Sequence, residues 1–139
     1  MFTYKCDCTN IDFSEVIEIL KSVGMKYHPL EKEEAIFRNS YYVIFAYDDD
    51  RLVGFARVIS DGVYQAALYD MAVHPDYQGK GLGKSIMMEI KEKLKGFNII
   101  LYASPGKEDF YTKLGFRKML TAMAFFEDES AKREKGFIQ

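Results

Sequence analysis

The strongest periodic signal in the chain lies over residues 82–94. Leu82, Ile86, Ile90 and Leu94 recur at every fourth position with Met87 beside them, while Lys84, Glu89, Lys91, Glu92, Lys93 and Lys95 fall mostly on other faces. An apolar stripe at that spacing predicts an amphipathic helix laid on a core. An earlier stripe of Phe13, Val16, Ile17 and Leu20 predicts a first helix. Asp12 stands at its N-cap position, Glu15 completes a capping-box pattern, and Gly24 is placed to end it. After an irregular connection over 25–30, the Glu- and Lys-rich residues 31–38 predict a second short helix.

The intervening segments read as strands. Residues 2–8 form a short one. Residues 41–47, 52–59 and 63–74 follow, separated by turns at Asp48-Asp49-Asp50 and Ser60-Asp61-Gly62, which predicts an antiparallel meander. Residues 98–103 read NIILYA and return through a helix, so this strand is predicted to run parallel to 63–74. A helix over 107–114, a β-rich stretch over 116–126 and a loosely ordered charged tail over 127–135 complete the pattern. The order β-α-α-β-β-β-α-β-α-β predicts an α/β (α+β) fold with a mixed, mostly antiparallel sheet; a closed barrel or a doubly wound sheet would not alternate in this way. No repeat or linker divides the chain, so one domain over 1–139 is expected.

Composition narrows the classes of partner. Apolar residues make up 48% of the 139 and aromatics 15%, enough for a substantial core. The formal charge of −2 carries no basic excess to advertise nucleic acid or an anionic membrane. No apolar run is long enough to cross a bilayer and the first residues lack a secretory pattern, so a cytoplasmic location is expected. Cys6 and Cys8 share one face of a strand-like segment. They could form half of a metal site or a redox pair, but His28 and His74 are not at ligand spacing from them, so reduced packing thiols and no metal are expected.

The candidate chemistry lies between the last meander strand and the strongest helix, in Gln78-Gly79-Lys80-Gly81-Leu82-Gly83-Lys84. Alternating glycines let main-chain N–H groups approach a ligand without Cβ atoms in the way. The helix start adds unpaired N–H groups and partial positive charge, a setting for a diphosphate. Lys80 and Lys84 add charge at the rim. Gly83 lies inside the helical pattern, where it costs ~1 kcal/mol relative to Ala, and close approach of a ligand would explain it. The alternative is a turn that merely permits tight helix packing. GKGLGKS is not a Walker A loop, which requires glycine where Gln78 stands, and Lys84 breaks the dinucleotide fingerprint.

Gln78-x-x-Gly81-x-Gly83 resembles the Q/R-x-x-G-x-G/A signature of the GNAT superfamily of N-acetyltransferases. Met71-Ala72-Val73-His74-Pro75 leads into it, and Phe110-Tyr111-Thr112-Lys113-Leu114-Gly115-Phe116 resembles a second hallmark of the family. The resemblance covers residues 68–116 and is closest in look to serotonin-acetyltransferase-like small-amine enzymes. It implies a central parallel strand pair that splays apart, helices on both faces, a cofactor-binding core over 63–116, and acetyl-CoA as co-substrate without a metal. It further implies that the CoA diphosphate rests on main-chain N–H groups of Gln78, Gly79, Lys80, Gly81, Leu82, Gly83 and Lys84. Met71, Ala72 and Val73 would line the pantetheine arm, Ser104 would stand where the family often places an Asn, and Tyr111 would protonate the leaving sulfur.

The general base is less plainly marked. Ala67 and Tyr69 occupy the positions where family members carry one, and neither suits. Asp70 is the nearest carboxylate, though strict strand alternation turns it to the opposite face unless a bulge re-aims it; His28 in the early connection, or a water chain to a backbone carbonyl, could serve instead. Met25, Lys26, Tyr27 and His28 would line the acceptor pocket, with Tyr27 and His28 as substrate contacts. His74 is expected to cap the strand end and face solvent. The expected partner is a small-molecule primary amine, with no nucleic acid and no membrane, and a homodimer accords with the resemblance. Three other readings stand beside this one: a protein amine as acceptor, an acyl-CoA-binding module without turnover, and a nucleotide-binding enzyme prompted by GKGLGKS.

Overall fold

The predicted meander forms the centre of a five-stranded sheet in the computed structural model, which describes residues 2–139. The strands are β1 (Thr3–Lys5), β2 (Tyr42–Asp48), β3 (Arg51–Ser60), β4 (Gln65–Val73) and β5 (Asn98–Ile100), in the spatial order β1-β2-β3-β4-β5. The pairs β1–β2, β2–β3 and β3–β4 are antiparallel and β4–β5 is parallel. The helices are α1 (Phe13–Ser22), α2 (Leu30–Arg38), α3 (Leu82–Lys93), α4 (Glu108–Thr112) and α5 (Glu129–Glu134), and Pro75–Tyr77 forms one 3₁₀ turn. The chain divides into two compact units, one ending at Leu101 and the other Tyr102–Gln139.

In the first unit both faces of the sheet are covered, because β2 and β3 are apolar on both faces. Val43, Phe45, Tyr47, Leu52 and Phe55 join Phe13, Val16, Ile19, Leu20 and Phe37 from α1 and α2 in one buried cluster. Phe37 is its hub, with ring centroids 5.6 Å from Phe45 and 5.7 Å from both Phe13 and Phe55. The alternate residues of β2, Ile44 and Ala46, pair with Ala56 and Gly54 on β3. That opposite face receives α3, whose Leu82, Ile86, Met87 and Ile90 are buried. Each such side chain contributes roughly 1.5–3 kcal/mol. Gly54 sets how closely α3 lies: a Cβ there would meet Ile86 Cδ1 at 3.1 Å, the Ala72 carbonyl oxygen at 3.2 Å and Leu82 Cδ2 at 3.4 Å.

Asp12 caps α1, its carboxylate accepting the Ser14 N–H at 2.9 Å. The predicted capping box is incomplete, because the Glu15 carboxylate accepts the Leu52 N–H at 3.3 Å and so ties α1 to β3. At the other end Gly24 has φ +74°, Met25 N–H donates to the Leu20 carbonyl and Gly24 N–H to that of Lys21, a Schellman stop.

In the second unit the expected strand over 116–126 is not formed. Those residues have no strand partner, and Leu120, Met123 and Phe125 are more than nine-tenths exposed. β-rich composition reflects fit to a pleated neighbour, and without one the pattern specifies nothing. The tail expected to be loose contains α5, capped by Asp128, whose carboxylate accepts the Ala131 N–H at 3.0 Å. Lys132 on α5 holds its ammonium 5.0 Å from the Phe126 ring centre and 4.7 Å from that of Phe137. These cation–π contacts tie the helix to the aromatic end of the unit.

Candidate functional site

β4 ends at Val73 and the chain turns through Pro75–Tyr77 before α3 begins. His74 caps that turn, its Nδ1 accepting the Asp76 N–H at 3.0 Å, while its Nε2 lies 3.0 Å from the Arg51 guanidinium. Its side chain is 22% exposed, so it is wedged among these groups rather than facing solvent. The Gln78 side chain donates to the Val73 carbonyl at 2.9 Å and the Gln78 N–H to the Pro75 carbonyl at 3.3 Å. This corrects one assignment. The Gln78 N–H is already engaged, and its side chain folds the loop back onto the strand.

From the next residue the picture changes. Gly79 has φ +77° and Gly81 φ +83°, and open space surrounds the position of a Cβ at both. Gly81 is the N-cap of α3 and no side chain caps the helix. The first helical bond is from Ser85 N–H to the Gly81 carbonyl at 3.0 Å. Among the described residues the N–H groups of residues 79–84 donate to no protein acceptor. Such a run of unengaged donors at the positive end of a helix dipole suits an anion with several oxygens, such as a diphosphate. Lys80 holds its ammonium 5.3 Å from the Tyr77 ring centre, and Arg51, which sequence reasoning missed, packs over the same ring at 5.5 Å. Lys84 is exposed. Leu82 and Gly83 differ in what they do there: the Leu82 side chain is buried at 1% exposure and anchors the loop, while Gly83 keeps the first turn of α3 bare.

β5 pairs with β4 only through Gln65–Asn98, Ala66–Ile99 and Ala67–Ile100. Beyond Ala67 the pairing of β4 with β5 does not continue among the described residues, the splay that the resemblance implied. Met71, Ala72 and Val73 lie on this stretch, with Ala72 buried and the other two half-buried. An unpaired strand edge of this kind offers main-chain groups to an extended ligand arm.

Asp70 has φ +52°, and the β3–β4 register shifts between Phe55 and Arg57, so Asp70 and Met71 together oppose Ala56. This is the bulge needed to re-aim Asp70. Its effect is visible in Arg57: the Asp70 carboxylate accepts the Arg57 Nε–H at 2.6 Å, while the Arg57 guanidinium also lies 5.3 Å from the ring centre of the adjacent Tyr69. Consecutive residues thus reach one side chain, which strict alternation forbids. Arg57 packs over Phe37 at 5.9 Å, so the Asp70 carboxylate is held on the α1–α2 side of the sheet.

That side also contains Glu33, which sequence reasoning missed. It is buried at 1% exposure, and its carboxylate accepts the His28 N–H at 2.9 Å. Burial holds its pKa above the usual carboxylate range, and the Asp70 charge pushes the same way. His28 is partly buried, which lowers its pKa, and Lys32 adds to the effect. The imidazole is therefore neutral at pH 7. Tyr27 is 46% exposed with the Lys21 ammonium 5.2 Å from its ring centre. A signal for Glu33 existed: it falls on the apolar stripe of α2 with Leu30 and Phe37.

Tyr111 and Ser104 belong to the second unit. Tyr111 packs edge-on against Phe110 at 5.0 Å and Phe116 at 5.8 Å, and burial raises its pKa, so the phenol stays protonated at neutral pH. Ser104 is exposed and its carbonyl accepts the Lys107 N–H at 2.9 Å in the turn before α4. Cys6 and Cys8 are free thiols, and Cys6 Sγ lies 3.3 Å from the Tyr42 hydroxyl. Among the described residues no group of acidic, His or Cys side chains is arranged to hold a metal, and no helix is long and apolar enough to cross a membrane.

Residues 39–118 match the acetyltransferase (GNAT) domain family. The N-acetyltransferase ycf52 of Porphyra purpurea is 37% identical over 122 residues, which cover 83% of this chain and 70% of that protein. Serotonin N-acetyltransferase 2, chloroplastic, of Oryza sativa is 33% identical over 138 residues, covering 90% of this chain and 68% of that one. Among solved structures, a GNAT-family acetyltransferase of Streptococcus pneumoniae superposes with a TM-score of 0.77 at 26% identity, covering 91% of this chain and 98% of its own. With the mixed sheet, the splayed parallel pair and the bare helix start already in place, these likenesses settle the family: the chain belongs to the GNAT N-acetyltransferases.

Proposed function

We propose that the protein transfers the acetyl group of acetyl-CoA to a primary amine of a small molecule. The observation that carries this reading is the unengaged run of N–H groups over residues 79–84 at an uncapped helix start. The unpaired edge of β4 beside it gives Met71, Ala72 and Val73 to the pantetheine arm. A fold relative from Clostridium acetobutylicum is described with acetyl-CoA, which accords with that use of the fold.

An alkylamine with a pKa of ~10.4 arrives protonated at neutral pH. In this reading Asp70, held by Arg57, takes that proton. The amine nitrogen then bonds to the thioester carbon, the C–S bond breaks, and the Tyr111 hydroxyl gives its proton to the departing sulfur. The nitrogen sheds its second proton to solvent as the amide forms, the phenolate is reprotonated from solvent, and the proton on Asp70 leaves by the same route. Ser104 contacts the arm, and Tyr27 and His28 border the acceptor. The site acts as a small-amine site in the manner suggested by the rice serotonin N-acetyltransferase. A protein acceptor is the second reading, favoured by a relative of 32% identity named histone acetyltransferase TAP1 from Glycine max, of which this chain covers 52%.

The test is thiol release from acetyl-CoA in the presence of small amines and, separately, of lysine-containing peptides. Turnover with small amines at a kcat/KM well above that for peptides is expected. Turnover with peptides alone would transfer the assignment to the second reading, and no release with either would end the proposal.

A further inference from the structure

Glu33 is the only buried charged side chain among the described residues. It makes no ion pair there, and the His28 N–H is the one hydrogen bond its carboxylate receives, at Oε2. Every fully covered side-chain nitrogen or oxygen in the described chain has a partner. Oε1 has none, so it is the atom through which this side chain still meets solvent. A buried carboxylate in that condition is costly, and proteins retain such groups when a cation or a function completes them.

The surroundings specify the missing partner. The charged and titratable groups that act on Glu33 are His28 from the α1–α2 connection, Lys32 from α2, Arg57 from β3 and Asp70 from β4. Arg57 is already bonded to Asp70 at 2.6 Å. Lys32 is exposed and His28 is neutral. With Glu33 ionised, two carboxylates stand near one guanidinium that is bonded to Asp70, which leaves one negative charge uncompensated. One ammonium balances it.

Resting on the acetyl-transfer reading above, we propose that Glu33 is a specificity residue of the acceptor site, whose free oxygen receives the ammonium of the incoming substrate. The substrate class is then aliphatic amines, bound in the protonated form that prevails at neutral pH, ahead of arylamines, which arrive uncharged. Asp70 removes the proton once the amine is held. The Glu33 carboxylate forms no covalent bond in the reaction.

The experiment compares wild type with Glu33→Gln and Glu33→Asp in acetyl-CoA thiol-release assays. 2-Phenylethylamine represents the charged acceptors and aniline the neutral ones, each within a wider panel of its class. Wild type is expected to prefer the alkylamines. Glu33→Gln, which keeps an acceptor for the His28 N–H, should raise their KM about tenfold to a hundredfold, the range for losing a charged hydrogen bond. Its kcat and its arylamine kinetics should change little, and its Tm should match or exceed that of wild type, because a buried charge has gone. Glu33→Asp should keep the alkylamine preference. An unchanged alkylamine KM, equal losses for both classes with a lowered Tm, or a wild-type preference for arylamines would overturn the proposal. Wild-type turnover with no amine at all would instead sink the transferase reading on which it rests.

Discussion

Gly81→Asp tests the loop by adding one negative charge where the account puts a diphosphate. Gly81 has φ +83° and open space around its Cβ direction, so the side chain meets no clash. The structural penalty is that of an L-residue in the left-handed region, about 1–2 kcal/mol, or a few degrees of Tm. The effect on ligand is larger. A carboxylate about 4 Å from one phosphate charge costs about 4 kcal/mol at an effective dielectric of 20, and each ~1.4 kcal/mol is tenfold in Kd. CoA affinity measured by titration calorimetry should fall roughly a thousandfold. Gly81→Ala carries the same backbone strain without the charge and should stay within about tenfold of wild type. If Gly81→Asp binds CoA as wild type does, or Gly81→Ala loses as much as Gly81→Asp, the electrostatic reasoning fails.

Other expectations follow from the same geometry. Tyr111→Phe should keep CoA affinity and lower kcat by about 10²–10⁴, the usual worth of a positioned general acid; unchanged kcat in a steady-state assay would remove Tyr111 from the chemistry. Gly54→Ala forces Ile86, Leu82 or the Ala72 carbonyl to move, and overpacking of this kind costs about 1–3 kcal/mol, so urea denaturation should show that loss together with weaker CoA binding as α3 lifts. Asp12→Ala should remove about 1 kcal/mol at pH 7. The Ser14 hydroxyl and N–H hold the Asp12 carboxyl below its usual 3.8. Its contribution is therefore complete above that value and lost as pH falls through the lower folded-state value, and the gap between wild type and Asp12→Ala should narrow there.

What was legible in the sequence depended on whether one segment determined its own structure. Leu82, Ile86, Ile90 and Leu94 need only a core to lie on, and α3 appears where their spacing predicts it. The parallel pairing of β5 with β4 follows from the intervening helix and the right-handed crossover. Asp70 was not decidable in this way, because its direction depends on the β3–β4 register, and a bulge is a property of the pair. Glu33 was obscured by the run Glu31-Lys32-Glu33-Glu34, which reads as a solvated face, and only its spacing from Leu30 and Phe37 set it apart. Its burial is produced by the packing of α2 through Phe37. The segment 116–126 failed for the opposite reason: its composition is strand-like, but a strand needs a neighbour.

The central claim is that the main chain over residues 79–84 grips the paired phosphates of the cofactor. It is tested most directly by following the backbone amide resonances of Gly79, Lys80, Gly81, Leu82, Gly83 and Lys84 as CoA is added to the labelled protein. These amides should shift together with one saturating dissociation constant and become protected from exchange, while the Gln78 amide, already bonded to Pro75, moves least. Saturation of CoA binding with these resonances unmoved would contradict it.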